Sequence, residues 1–106
     1  MSYRFMRVIV FFDLPMVTGL DRREYSRFRK FLIKSGFVMM QQSVYSKIAL
    51  NTTAANALIG NVRKEKPLHG LVQMMVITEK QYNKIEVVVG DAINEVINSD
   101  ERLLIL

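Results

Sequence analysis

The strongest constraint on the fold is the run Arg4–Pro15, whose sequence is RFMRVIVFFDLP. Its centre, VIVFF, is β-branched and aromatic and suits a buried strand, whereas Pro15 cannot donate a hydrogen bond to a neighbouring strand. The run therefore predicts a strand that ends at Asp13. Side chains alternate along a strand, so Asp13 would share one face with Ile9 and Phe11. Because both faces are largely apolar, we expect each of them to be covered.

Composition excludes several classes of protein. The chain has 106 residues, which suits a single domain over 1–106, and half of them are hydrophobic, which excludes general disorder. There is no cysteine, so disulfides, thiolate zinc sites and a cysteine nucleophile are excluded and a cytoplasmic location is expected. Asp13 interrupts the first apolar run, which is typical of a strand rather than a signal peptide. No apolar run reaches the length of about 18 residues that spans a bilayer, so we expect no membrane partner.

The positive charge is concentrated at one end of the chain. The formal net charge is +5, and residues 1–36 contain eight Arg and Lys but three acids, whereas residues 37–106 contain seven of each sign. The whole excess therefore lies in the part of the chain around Asp13. A one-sided basic surface favours polyanions, most often nucleic acid.

A helix is predicted over residues 20–35, where apolar residues recur at helical spacing. Thr18 or Asp21 can cap its beginning, and Gly36 can end it. Five basic residues of this helix are candidate contacts to nucleic-acid phosphates: Arg22, Arg23, Arg27, Lys30 and Lys34. The last four fall in one narrow stripe, which is either a solvated face or a row of phosphate contacts. The second interpretation is favoured because no acid lies at the i+4 positions that would form pairs within the helix.

The rest of the chain continues the alternation of strands and helices. The predicted elements are two strands within 37–50 with a tight break at 41–43, a helix over 54–65 capped by Thr52 or Thr53, a strand over 69–78, a turn or short helix over 79–83 and a short strand over 85–89. Residues 91–100 fit either a helical turn or a loop. The apolar end, 103–106, needs a surface to pair with or pack against.

This order predicts an α+β protein of the ferredoxin-like type, β-α-β-β-α-β, with extra C-terminal strand material. Both helices would then lie on one face of an antiparallel sheet. The other face is also apolar and needs a cover, and a second copy of the chain is the simplest one. We therefore expect a homodimer with its sheets face to face, and a C-terminal extension from about 79 to 106 that packs on or across the dimer.

Asp13 is the main chemical candidate, although a strand-end aspartate often caps its own turn. One carboxylate per chain is too few for a conventional two-metal site. In a twofold dimer, however, two copies of Asp13 could lie near the axis and share Mg²⁺ or Mn²⁺, with water and phosphate completing the coordination. His69 is the lone histidine and is either a general base or, more often in such a position, a structural residue.

Two motifs together resemble the CRISPR-associated protein two family, the small subunit of the spacer-acquisition machinery. They are FFDLP at Phe11–Pro15 and GFVMMQQSVY at Gly36–Tyr45, and the tail at Asp100–Leu106 resembles the form found beside type II-A systems. The resemblance implies a ferredoxin-like homodimer in which Asp13 binds a divalent metal. It also implies a complex in which two dimers of the larger CRISPR integrase subunit flank one dimer of this protein.

In that complex, the resemblance implies that the protein holds the double-stranded DNA that becomes a new spacer. Members of the family are described as metal-dependent endonucleases on single-stranded RNA or double-stranded DNA. The family usually has tyrosine before the aspartate where this chain has Phe12, so a possible polar partner near the metal is missing.

The leading hypothesis is therefore a dimer that binds double-stranded DNA for spacer integration and cleaves phosphodiesters at paired Asp13 residues with Mg²⁺. In this hypothesis the basic residues of the first helix hold backbone phosphates without reading sequence. The main alternative is a non-catalytic DNA-binding scaffold of the same integration complex. A small-ligand or toxin-like ferredoxin domain is a third class, and it predicts DNA affinity without a steep salt dependence.

Overall fold

The computed structural model describes residues 5–90 of the chain. Their elements are β1 (Met6–Asp13), α1 (Gly19–Lys34), β2 (Val38–Gln41), β3 (Val44–Ala49), α2 (Thr52–Lys64), β4 (Leu71–Thr78) and α3 (Glu79–Tyr82). The first six follow the order β-α-β-β-α-β, and the short helix α3 confirms the prediction of a turn or short helix at 79–83. The predicted segments at 91–100 and 103–106 lie outside the described residues.

The four strands form one antiparallel sheet in the order β2-β3-β1-β4. β1 is central, and it pairs with β4 over its whole length, from Met6 opposite Thr78 to Asp13 opposite Leu71. This order and the two covering helices confirm the ferredoxin-like α+β fold. Within residues 5–90, no helix has both the length and the apolar character needed to cross a membrane.

The core lies between the sheet and helices α1 and α2. Val8, Val10 and Phe12 of β1 point toward the helices and are buried, and they pack in one cluster with Phe28 and Leu32 of α1. Ala55 and Val62 of α2 complete that cluster. One face of the predicted strand is therefore covered within the chain itself.

Helices α1 and α2 each begin after a residue whose side chain caps the first turn. The hydroxyl of Thr18 accepts a hydrogen bond from the Asp21 N–H, and the Asp21 carboxylate accepts one from the Thr18 N–H, which forms a capping box. The predicted cap of α2 is wrong. Asn51, rather than Thr52 or Thr53, accepts the hydrogen bond from the Ala54 N–H, because the helix already begins at Thr52.

The predicted fifth strand at residues 85–89 is not formed. These residues have no strand partner in the described part of the chain, and the side chains of Val88 and Val89 are 81% and 90% exposed. A strand needs a neighbouring edge to bond with, and the turn after α3 does not bring this segment back to β2 or β4. Its apolar, β-branched sequence is left facing solvent.

The second face of the sheet, opposite α1 and α2, is called the open face below. Its residues follow from the strand register and are Val38 of β2, Val44, Ser46 and Ile48 of β3, Arg7, Ile9, Phe11 and Asp13 of β1, and Leu71, Gln73, Met75 and Ile77 of β4. Four apolar side chains of this face are about half exposed: Val38 (50%), Ile48 (43%), Leu71 (54%) and Met75 (47%).

The short helix α3 is held against the open face, beside the first residues of β1. Arg7 Nε and Nη2 donate to the two carboxylate oxygens of Glu79 at 3.0 and 2.6 Å, and the guanidinium stacks 3.9 Å above the ring centroid of Tyr82. The Glu79 N–H also donates to the Phe5 carbonyl. These contacts fix where the chain leaves the sheet after β4.

Candidate metal site and nucleic-acid surface

Asp13 is the last residue of β1, as the sequence predicts, and its side chain is exposed on the open face. It lines a shallow hollow with Phe11, Val44, Leu71 and Gln73. Within residues 5–90 no N–H or hydroxyl donates to its carboxylate. The alternative in which Asp13 caps its own turn is therefore wrong, and its oxygen atoms remain available to a ligand.

Gly70 holds the backbone behind Asp13 and was not recognised from the sequence. Its φ is +98°, a conformation that residues with a side chain rarely adopt. A Cβ at this position would lie 2.8 Å from the Asp13 carbonyl oxygen and 2.7 Å from Leu14 Cδ2. The missing side chain thus lets the end of the α2–β4 loop pass directly against the exit of β1. The same conformation delays the start of β4 to Leu71, two residues after the predicted start.

A single chain supplies few metal ligands at this place. Residues 5–90 contain no cluster of three or more His, Asp or Glu side chains that could hold an ion. Asp13 is an oxygen ligand of the kind that Mg²⁺ and Mn²⁺ prefer, but alone it provides one carboxylate. The donor set therefore fits a hydrated divalent ion only if a second carboxylate comes from another copy. Metal binding at Asp13 remains a prediction.

The ring of Phe12 points away from that carboxylate. Its side chain points to the helix side of the sheet, where its ring packs against Tyr25, Phe28 and Tyr45 with centroids 5.3 to 5.9 Å away. Asp13 points to the opposite face, because successive side chains of a strand alternate. The inference that Phe12 removes a polar partner from the metal site is therefore wrong, since a hydroxyl on this ring would enter the aromatic core.

Two of the five basic candidates of α1 are engaged within the chain. Arg22 donates to the carbonyl oxygens of Met16 and Val17 in the loop before the helix. Arg27 forms ion pairs at 3.2 Å with Glu24 and with Glu65, so the absence of acids at the i+4 positions does not leave Arg27 unpaired. The partners were missed because Glu24 lies at i−3 rather than i+4, and Glu65 is distant in sequence.

The pairing of Arg27 also affects the acid beside it. The hydrogen bonds from the Arg27 guanidinium lower the pKa of Glu24 below its ordinary value, and the Leu68 N–H, which donates to the same carboxylate, acts in the same direction. Glu24 is therefore ionised, and its carboxylate forms an ion pair with the Arg27 guanidinium. Arg27 is a structural connection between α1 and the α2–β4 loop, and its charge is largely committed to these acids.

The other three candidates, Arg23, Lys30 and Lys34, are exposed. Their side chains form no hydrogen bond or ion pair with any residue of the described part of the chain. They are the members of the predicted row whose charges are free to meet an anion. Their binding to nucleic acid remains a prediction.

His69 lies in a different environment from Asp13. It lines a second hollow with Leu14, Asp21 and Glu24, on the loop side of α1. Both acids line the same hollow, so His69 lies beside them rather than on the open face. The structural interpretation of His69 is thus favoured over a role as general base at Asp13.

The family model and the similar known proteins all point to one family. The model of the family described as "CRISPR associated protein Cas2" matches residues 6–85. A protein of Treponema denticola named "CRISPR-associated endoribonuclease Cas2" is 54% identical over 101 residues, which cover 95% of this chain and all of that protein. Proteins with the same name from Ligilactobacillus salivarius and Streptococcus mutans serotype c are 44% and 41% identical, again over 95% of this chain and over 100% and 93% of theirs.

Proposed function

The chain belongs to the Cas2 family of CRISPR-associated proteins, and from this we propose that it is a metal-dependent endonuclease of spacer acquisition that works as a face-to-face homodimer. The observation that carries the proposal is the position of Asp13. Its carboxylate has no hydrogen-bond partner among residues 5–90, and it lies on a sheet face where four apolar side chains stay about half exposed. The names of the relatives support RNA as one substrate.

The dimer is supported by the open face. Burying a half-exposed Val, Ile, Leu or Met side chain contributes roughly 1 kcal/mol, so the four such residues in each of two copies contribute about 8 kcal/mol. The loss of translational and rotational freedom on association costs about 4–15 kcal/mol. The two terms are comparable, so further contacts are needed for a tight dimer. The exposed apolar segment after α3 is available to make them, and it would pack on or across the partner copy.

Catalysis in such a dimer needs both copies of Asp13. Two carboxylates facing each other repel unless a cation lies between them, and Mg²⁺ or Mn²⁺ accepts such oxygens while keeping several waters. A bound ion of this kind supplies charge stabilisation for a scissile phosphate and a more acidic water. The role of the chain is to hold the two carboxylates in place, through the β1–β4 register and the Gly70 contact, and to keep the hollow at Asp13 open to a phosphodiester.

The second activity that we propose is binding of double-stranded DNA between two dimers of the CRISPR integrase subunit. The free cations Arg23, Lys30 and Lys34 support it, because exposed, unpaired cations on one helix face suit backbone phosphates. Purified protein mixed with the integrase subunit and a DNA duplex should elute as one complex with four integrase chains to two of this chain. Separate elution would exclude the bridging role.

The test of the active site is Asp13→Asn, which removes the charge and keeps the size of the side chain. Cleavage of single-stranded RNA and of duplex DNA is measured with and without Mg²⁺ or Mn²⁺, beside duplex affinity and sedimentation. We expect metal-dependent cleavage to disappear while the dimer and the duplex affinity persist. Unchanged cleavage by the variant would overturn the assignment. A wild-type protein that cuts neither substrate at any pH or metal would leave the non-catalytic scaffold as the function.

A further inference from the structure

A second group of cations lies at the other helix of the core layer. Arg63 and Lys64 occupy the last turn of α2, and Lys66 lies just beyond the helix. All three are exposed, and their side chains form no hydrogen bond or ion pair with any of residues 5–90. Cations in the last turn of a helix complement its dipole, but this accounts for neither Lys66 nor the absence of acidic partners.

Arg27 of α1 contacts the end of α2, where these cations lie. Its Nη1 donates to the Glu65 carboxylate at 3.2 Å, and its Nη2 donates to the Glu65 and Lys66 carbonyl oxygens at 3.1 and 3.3 Å. The contact spans 38 positions of sequence, so only the fold reveals it. The end of α2 is thereby tied to the middle of the basic helix.

The acids at this junction do not cancel the cations around it. The two acids here are Glu24 and Glu65, and both are paired with Arg27. The charges of these two acids and Arg27 sum to −1, whereas Arg23 on α1 and the three cations at the end of α2 sum to +4 and form no ion pair within residues 5–90, so the surface keeps a net positive charge. A surface with one sign of free charge on two adjoining elements attracts a ligand whose negative charges are spaced along a chain.

We propose that Arg63, Lys64 and Lys66, hereafter the α2 group, bind the phosphate backbone of the nucleic acid and widen the contact surface of α1 into a band across both helices. This rests on the proposed function, since it adds contacts to the same bound duplex. The ligand class is a polyphosphodiester rather than a single phosphate, because the cations are exposed and spread over a surface instead of converging in a pocket. Such contacts are independent of sequence.

The test uses the double variant Arg63→Gln/Lys66→Gln in the full chain, with Lys80→Gln/Lys84→Gln as a charge-matched control. Lys80 and Lys84 are also exposed, but they lie in and just after α3, away from the helix layer. Duplex affinity is measured by fluorescence anisotropy between 50 and 200 mM salt. Urea unfolding of each variant confirms that the fold is intact.

Each phosphate contact contributes about 0.9 to the slope of log affinity against log salt. Loss of two contacts therefore lowers the slope by about 1.8, so that the wild type loses about twelvefold more affinity over this salt range than the Arg63/Lys66 variant. The control should keep the wild-type slope. Equal slopes for all three proteins, or an equal reduction in both variants, would overturn the proposal while the wild-type affinity stands. A wild type without salt-dependent duplex binding would overturn the DNA-binding function itself.

Discussion

Replacing Gly70 by alanine tests how the fold holds Asp13. At φ +98° a residue with a side chain is strained by about 1–3 kcal/mol. The new Cβ would also lie 2.8 Å from the Asp13 carbonyl oxygen and 3.1 Å from Leu14 Cα, which are backbone atoms that cannot rotate away. Relief of this overlap adds about 1–3 kcal/mol. We expect Gly70→Ala to lower the free energy of unfolding by about 2–6 kcal/mol in total.

Gly60→Ala is the matched control, because it makes the same chemical change with the opposite expected sign. Gly60 lies inside α2, no atom lies within 4 Å of the position of its Cβ, and alanine favours a helix over glycine by about 1 kcal/mol. Urea unfolding of both variants at one protomer concentration measures the difference. The reasoning is refuted if Gly70→Ala is as stable as the wild type, or if both variants shift in the same direction. A folded Gly70→Ala protein should also lose more metal-dependent cleavage than duplex affinity.

Three further predictions concern other parts of the molecule. Met75→Glu puts a charge on the open face and should convert the dimer to a monomer in sedimentation experiments, whereas an unchanged mass would contradict that interface. Arg7→Met removes both hydrogen bonds to Glu79 and the stacking on Tyr82, and should lower the free energy of unfolding by about 2 kcal/mol; a loss below about 0.5 kcal/mol would show that α3 is held by other contacts. The hydrogen bonds of the capping box lower the pKa of Asp21, so its carboxylate contributes stability above its ordinary pKa and loses it as the pH falls through the lowered value. The melting temperature of the wild type should therefore fall more steeply between about pH 5 and pH 3 than that of Asp21→Asn, and parallel curves would contradict this.

The sequence predicts the fold well because its signals are local. The strand that ends at Asp13, the helix that begins after Thr18 and the tight break between β2 and β3 each follow from short patterns of apolar, capping and turn residues. The prediction of a fifth strand at residues 85–89 was wrong for a physical reason. Residues such as Val88 and Val89 have the composition of a strand, but composition does not supply an edge to bond with.

The site was only partly predictable, because its details depend on contacts between distant segments. Asp13 is evident as the acid at the end of an apolar run. The contact of Gly70 with Asp13 and the pairing of Arg27 with Glu65 join residues that are far apart in the chain. Sequence periodicity describes only neighbouring residues, so it cannot predict such contacts. Helix periodicity placed Arg27 on an exposed stripe correctly but could not show that its charge is already neutralised.

The central claim is that two copies meet through their open faces and bring two Asp13 carboxylates to one divalent ion. Anomalous diffraction from crystals soaked in Mn²⁺ tests it directly. We predict a single anomalous peak on the dimer axis, bound by Asp13 of both copies and absent in Asp13→Asn crystals. Dimers that pack through α1 and α2, with the two Asp13 side chains on opposite surfaces and no peak beside either, would contradict the claim.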